Sequence, residues 1–244
     1  MLLLVDHGNT RIKLHLTSDG QKFDTTTVSH DSFPDETAEL LRKHPNVKNV
    51  VFSSVAADLV PFFQNSFPNL GIFDVAHLSN WPFINRYTTP ETLGIDRKVL
   101  AAGATLLEKG KSCLIIDAGT CITYDFLLPD SSYLGGAISP GLHMRFRALH
   151  EFTAKLPLVS NVQETALIGN STITAIQSGV INGMVAEIIG IINRYKEQYA
   201  DFTIILTGGD AEFLATQLKN GIFADSNFMQ RALYALYQFY NPND

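Results

Sequence analysis

Leu2–Leu16 reads LLLVDHGNTRIKLHL, and Leu114–Leu128 reads LIIDAGTCITYDFLL. Each is an apolar strand closed by an aspartate, a turn of small residues (Asp-x-Gly-Asn-Thr, then Asp-x-Gly-Thr) and a second strand. Gly, Asn and Asp accept turn conformations that other residues avoid, so one such stretch reads as an ordinary hairpin. Two of them, with the same turn chemistry in separate halves of the chain, predict a duplicated domain with a cleft between the copies. The division falls near residues 108–112, giving an N-terminal half, 1–108, and a C-terminal half, 109–244.

Around these hairpins, apolar runs at Val50–Ser53 and Thr203–Leu206 read as further strands. Ile95, Val99, Ala102 and Leu106 recur at helical spacing. Asn170–Tyr195 reads as a long helix capped by Asn170, Ser171 or Thr172, and Phe228–Phe239 as a final one. Leu134–Leu142 (LGGAISPGL) reads as a glycine-rich loop. Strands interleaved with helices make the class α/β.

The chain has 244 residues, 45% hydrophobic and 17% charged, with a formal charge of −6. That much apolar material excludes disorder. The acidic balance, with MRFR (Met144–Arg147) as the densest basic cluster, argues against nucleic acid as a partner. No apolar run approaches the length of a membrane span, and Glu187 interrupts the longest candidate, Met184–Ile192. The acid at Asp6 and the lack of a basic start argue against a signal peptide. With two cysteines, Cys113 and Cys121, both in apolar surroundings, the expectation is a cytoplasmic protein with buried structural thiols.

Chemistry concentrates at a few points. An acid ending a buried strand can hold a metal ion while the turn after it offers N–H groups and hydroxyls to phosphate, which fits Asp6–Thr10 and Asp117–Thr120. Asp96, in the first turn of the helix opened by Gly94-Ile95-Asp96-Arg97, is favoured as the anion by the helix dipole and is placed to accept a proton from an alcohol. Arg97 beside it suits an anionic group. Thr207-Gly208-Gly209 lies between a strand and a helix, a place for a base or ribose. Gly179, Gly183 and Gly190 form a smooth face on the long helix, suited to close packing within or between subunits. The seven histidines show no metal-ligand spacing.

The ordered set DHGNT (Asp6–Thr10), GIDR (Gly94–Arg97), DAGT (Asp117–Thr120), GGAISPG (Gly135–Gly141) and TGG (Thr207–Gly209) resembles type III pantothenate kinase, the CoaX family. The resemblance implies duplicated actin-like ATPase (ribonuclease H-like) domains. It also implies ATP-dependent phosphorylation of pantothenate to 4′-phosphopantothenate, the first step of coenzyme A biosynthesis. ATP would be bound by Asp6, His7, Gly8, Asn9, Thr10, Arg11, Ile12, Lys13 and Thr120. Pantothenate would be held by Tyr87, Gly94, Ile95, Asp96, Arg97 and Thr172, with Asp96 the proton acceptor. Asp117 would coordinate K⁺ or NH₄⁺, Asp6 would organise Mg²⁺, and the chain would form a homodimer. Two positions depart from the family pattern: His7 stands where an aliphatic residue is usual, and Cys121 where alanine is usual. The alternatives are a non-catalytic accessory or regulatory protein on the same fold and a kinase for another small alcohol.

Overall fold

The computed structural model describes residues 1–55, 57–160, 165–218 and 224–243. Its Cα packing divides the described chain into two compact units. The first takes in Met1–Lys111, Leu127–Gly135 and Asn227–Asp244, and the second Ser112–Phe126 and Gly136–Ser226.

The first unit is built on a sheet of β1 (Leu2–His7), β2 (Ile12–Thr17), β3 (Asp24–Val28), β4 (Asn49–Ser54) and β5 (Gly71–Asp74), in the order β3-β2-β1-β4-β5. β1 pairs antiparallel with β2 and parallel with β4. β1 is an unbroken apolar run because it is central and covered on both faces. On one face Leu3, Val5, Leu14, Val50 and Phe52 join Phe33 of α1 (Phe33–Lys43) and Phe63 of α2 (Val60–Ser66) in one cluster. α3 (Ile95–Leu107) and α7 (Phe228–Tyr240) pack on each other and on the sheet. They approach so closely that a Cβ on Gly103 would strike Ala232. A buried polar thread joins α7 to the sheet: Gln230 Nε2 lies 2.9 Å from His15 Nε2, and His15 Nδ1 lies 2.8 Å from Thr25 Oγ1. β6 (Ile84–Asn85) pairs parallel with Ser132 and Tyr133 at the start of β9 (Ser132–Pro140).

The second unit repeats the opening hairpin as β7 (Cys113–Ala118) and β8 (Cys121–Leu127), with β10 (Thr203–Thr207) parallel to β7. Its helices are α4 (Leu142–Glu151), α5 (Thr172–Gln198) and α6 (Ala211–Leu218). Of the three candidate caps for α5, Ser171 is the one used: its side chain accepts from Thr174 N, and Thr174 returns a bond to the Ser171 backbone, a capping box.

Three expectations need correction. Residues 134–142 are largely strand, because β9 extends to Pro140 and uses its glycines where a neighbour comes close: a Cβ on Gly136 would meet the Tyr124 carbonyl. α5, with 27 residues, is long and apolar enough to cross a membrane by length and composition, since Glu187 alone does not break its hydropathy. Met184, Ile188 and Ile192 on that helix are buried in the protein. Finally, Cys113 is buried but Cys121, beside the exposed turn, is only half-buried.

Candidate active site

In the first unit, β1 delivers Asp6 opposite Lys13 of β2 and beside Ser53 of β4. The turn between the strands is held by Gly8 N–H donating to the Arg11 carbonyl at 3.2 Å, which leaves Asn9, Thr10 and Arg11 exposed. Burial raises the Asp6 pKa above the usual carboxylate value; Lys13 works against this, and the charge of Asp96 works with it. Asp6, Lys13 and Asp96 therefore form one electrostatic group. The Ser53 hydroxyl is buried and has no hydrogen-bond partner among the described residues.

His7 faces away into a small polar cluster. Its Nδ1 is 2.6 Å from Ser54 Oγ and its Nε2 is 3.1 Å from His30 Nδ1. Ser54 Oγ donates to the Ala57 carbonyl, so it accepts from His7, and the neutral His7 ring then accepts from His30. Burial lowers the His7 pKa, and the neighbouring His30 adds to this. The side chain at this unusual position is a strut.

Asp96 sits in the first turn of α3, where its Oδ1 accepts from the Arg97 backbone N–H at 2.8 Å. Gly94 precedes it because a Cβ there would press on that carboxylate. Arg97 is buried, with its guanidinium 5.6 Å from the centre of the Tyr87 ring. Tyr87 in turn lies over Gly135, whose φ of +97° favours glycine. The structure thus brings together Tyr87, Arg97 and Gly135, the last from a motif whose part in the site the sequence left open.

In the second unit, the turn after Asp117 closes with Gly119 N–H donating to the Cys121 carbonyl at 2.9 Å, leaving Thr120 exposed at its tip. Thr207 of β10 lies directly across from Asp117. The next residue, Gly208, has φ +97°, and a Cβ on it would collide with Asp117 Oδ1 and the Ala118 carbonyl. Thr207-Gly208 is therefore shaped around the Asp117 carboxylate. The Thr207 hydroxyl is buried with no partner among the described residues, as Ser53 is beside Asp6. A carboxylate with a buried hydroxyl next to it is an all-oxygen donor set, the kind a hard cation prefers. Asp210 follows, its pKa raised by burial and drawn back by His143. Among the described residues no three His, Cys, Asp or Glu side chains converge on one point. Thr172 is the exposed first residue of α5.

The sequence reading missed Ser53, which belongs to no motif and meets Asp6 only through strand register, and Ser54 and His30, which brace His7 away from it.

The family model for type III pantothenate kinase matches residues 2–194. A type III pantothenate kinase from Flavobacterium johnsoniae is 47% identical over 244 residues, covering all of both chains. One from Bacteroides fragilis is 38% identical over 242 residues, covering 99% of each. Among solved structures, a Campylobacter jejuni protein labelled a Baf family transcriptional activator aligns with a TM-score of 0.65 at 24% identity, over 99% of this chain and 100% of that one. The ADPNP-bound activator of the 2-hydroxyisocaproyl-CoA dehydratase from Clostridium difficile aligns with a TM-score of 0.53 at 14% identity, over 99% and 96%. These likenesses establish the fold, that of the actin-like ATPases and sugar kinases. The chain is a kinase and belongs to the type III pantothenate kinase family.

Proposed function

We propose that the protein transfers the γ-phosphoryl group of ATP to the primary alcohol of pantothenate, giving 4′-phosphopantothenate and ADP, the first step of coenzyme A synthesis, in the cytoplasm. The observation that carries this reading is Asp96: a carboxylate fixed at a helix start, in electrostatic reach of Asp6 and next to a buried arginine. Asp96 accepts the hydroxyl proton as the alcohol oxygen bonds to phosphorus and the bond to ADP breaks. Tyr87 and Gly94–Arg97 hold pantothenate, with Arg97 facing its carboxylate, and Thr172 contacts it as well. The turn from Asp6 to Lys13 binds the ATP phosphates, and Thr120 offers its hydroxyl to the nucleotide.

Phosphoryl transfer depends mostly on positioning and charge neutralisation. Mg²⁺, when bound, neutralises phosphate charge, and Asp6 with the Ser53 hydroxyl suits it. Asp117 with the Thr207 hydroxyl suits K⁺ or NH₄⁺. A homodimer completes the reading. Gly179, Gly183 and Gly190 are exposed, and a Cβ on each would meet nothing within 4 Å, so their smooth face is open to a second copy. The test is ADP release with pantothenate against sugars, glycerol and acetate. Release with pantothenate alone is expected; release with another alcohol and none with pantothenate would overturn the reading.

A further inference from the structure

A group of side chains in the second unit has no part in the site proposed above. Arg145 of α4 and Glu187 of α5 form a partly buried ion pair, Nη2 to Oε2 at 2.6 Å. The same guanidinium donates from Nη2 to Ser139 Oγ at 2.9 Å and from Nε to the Pro140 carbonyl at 2.8 Å. Tyr124 of β8 donates its hydroxyl to the other Glu187 oxygen at 3.0 Å. Burial alone would raise the Glu187 pKa, but the bonds from Arg145, Ser139 and Tyr124 hold it below the usual value. One arginine and one glutamate thus join β8, the end of β9, α4 and α5.

Where this cluster grips the chain is informative. Pro140 is the last residue of β9, and Gly141 follows it. The Gly141 N–H donates to the Thr120 carbonyl at 3.2 Å, and a Cβ on Gly141 would run into the carbonyls of Gly119 and Thr120. The Asp117–Thr120 turn therefore rests on the Pro140-Gly141 backbone, and Arg145 fixes that backbone from behind. A single exposed ion pair does little for stability. A guanidinium with three acceptors, two of them on the segment that backs a binding turn, holds geometry.

We infer that Arg145 and Glu187 are positioning residues for the nucleotide: they set the height of the Gly119-Thr120 turn through Pro140-Gly141 without touching the nucleotide. The inference rests on the reading that Thr120 binds it. Displacement of such a turn by about 1 Å costs up to 10²-fold in rate.

The test measures ADP affinity by calorimetry, with KM for ATP, KM for pantothenate, kcat and Tm, in the full chain. Arg145→Ala is expected to weaken ADP and raise KM for ATP about tenfold or more while KM for pantothenate stays within about twofold. Arg145→Lys keeps the charge but cannot reach three acceptors, so it restores part of the loss. Glu187→Gln and Tyr124→Phe give the same nucleotide-specific pattern, more weakly, and they decide the matter if Arg145→Ala does not fold. Arg145→Ala/Glu187→Ala should be no worse for ADP than Arg145→Ala alone. A lower Tm with ADP affinity and KM for ATP within twofold of the wild type would make the cluster merely structural and overturn the inference. Thr120→Val separates the two readings. If it weakens ADP and the cluster variants do not, the positioning role fails alone; if it has no effect, the nucleotide turn is wrong.

Discussion

Asp96, in the first turn of α3, adds its charge to the burial that already raises the pKa of Asp6 at the end of β1. Two carboxylates are held near one another where the fold alone would not choose them. A carboxylate whose folded pKa lies above its unfolded one favours the native state at low pH, and that contribution is lost as pH rises through the unfolded and then the folded value. At neutral pH the pair is a strain that function retains. Asp6→Asn is therefore expected to abolish Mg·ATP-dependent turnover yet raise Tm at pH 7, by about 2–4 °C for each kcal/mol relieved. A calorimetric scan of both proteins at pH 5 and 7 checks it, with the larger difference at pH 7.

Asp96→Asn keeps the shape of the site and removes the proton acceptor. Its kcat should fall by roughly 10²-fold or more while ADP binds as in the wild type. Steady-state rates and a titration with ADP decide this, and near-normal turnover would remove Asp96 from the chemistry.

His15 predicts a pH dependence of a different origin. Burial pushes its pKa down from 6.5 to about 3, so the folded protein keeps it neutral between Thr25 and Gln230. The unfolded chain takes up the proton near pH 6.5. This part of the stability is thus fully present above that pH and is lost as pH falls towards 3, about 3 kcal/mol by pH 4. Urea unfolding of wild type and His15→Gln between pH 7 and 4 should show a shallower decline in the variant.

Gly208→Ala tests the contact between Thr207-Gly208 and Asp117. The positive φ and the collision with the Asp117 carboxylate act together, so a stability loss of about 1–3 kcal/mol or more is expected. The response to K⁺ should fall along with it, measured as the ratio of rates in KCl and NaCl at equal ionic strength.

Asp117→Asn should remove the preference for K⁺ or NH₄⁺ over Na⁺ without such a stability loss, because the amide keeps the shape of the carboxylate that Gly208 accommodates and removes only its charge. Equal wild-type rates in all three chloride salts would remove Asp117 from cation binding. Sedimentation of the wild type checks the dimer separately.

How much of this was legible in the sequence depended on whether the signal was local. The strands beginning at Leu2, Ile12, Val50, Cys113 and Thr203 were readable because buried strands are apolar runs, and the two hairpins because their turn residues repeat. β3 (Asp24–Val28), mostly polar and exposed, and α1, whose only buried residues are Phe33 and Thr37, gave no comparable run. The acids of the site stood out since each ends a strand or opens a helix. Their neighbours did not: Ser53 faces Asp6, and Thr207 faces Asp117, only through pairing between strands far apart in the chain. Arg145 looked like one more charge in a basic cluster. Its meaning lies in Glu187 and in the backbone of Pro140, which no short-range pattern connects.

The thread from Gln230 to His15 has a consequence for how the protein is made. The first unit begins at the first residue, yet its sheet is backed by α7, which leaves the ribosome more than 200 residues later. Until then Gly103 has no Ala232 to meet, and His15 has Thr25 but not Gln230. The nascent sheet must wait with an open apolar face while the whole second unit emerges. Synthesis and folding are here out of step: the sheet that is made first is completed last.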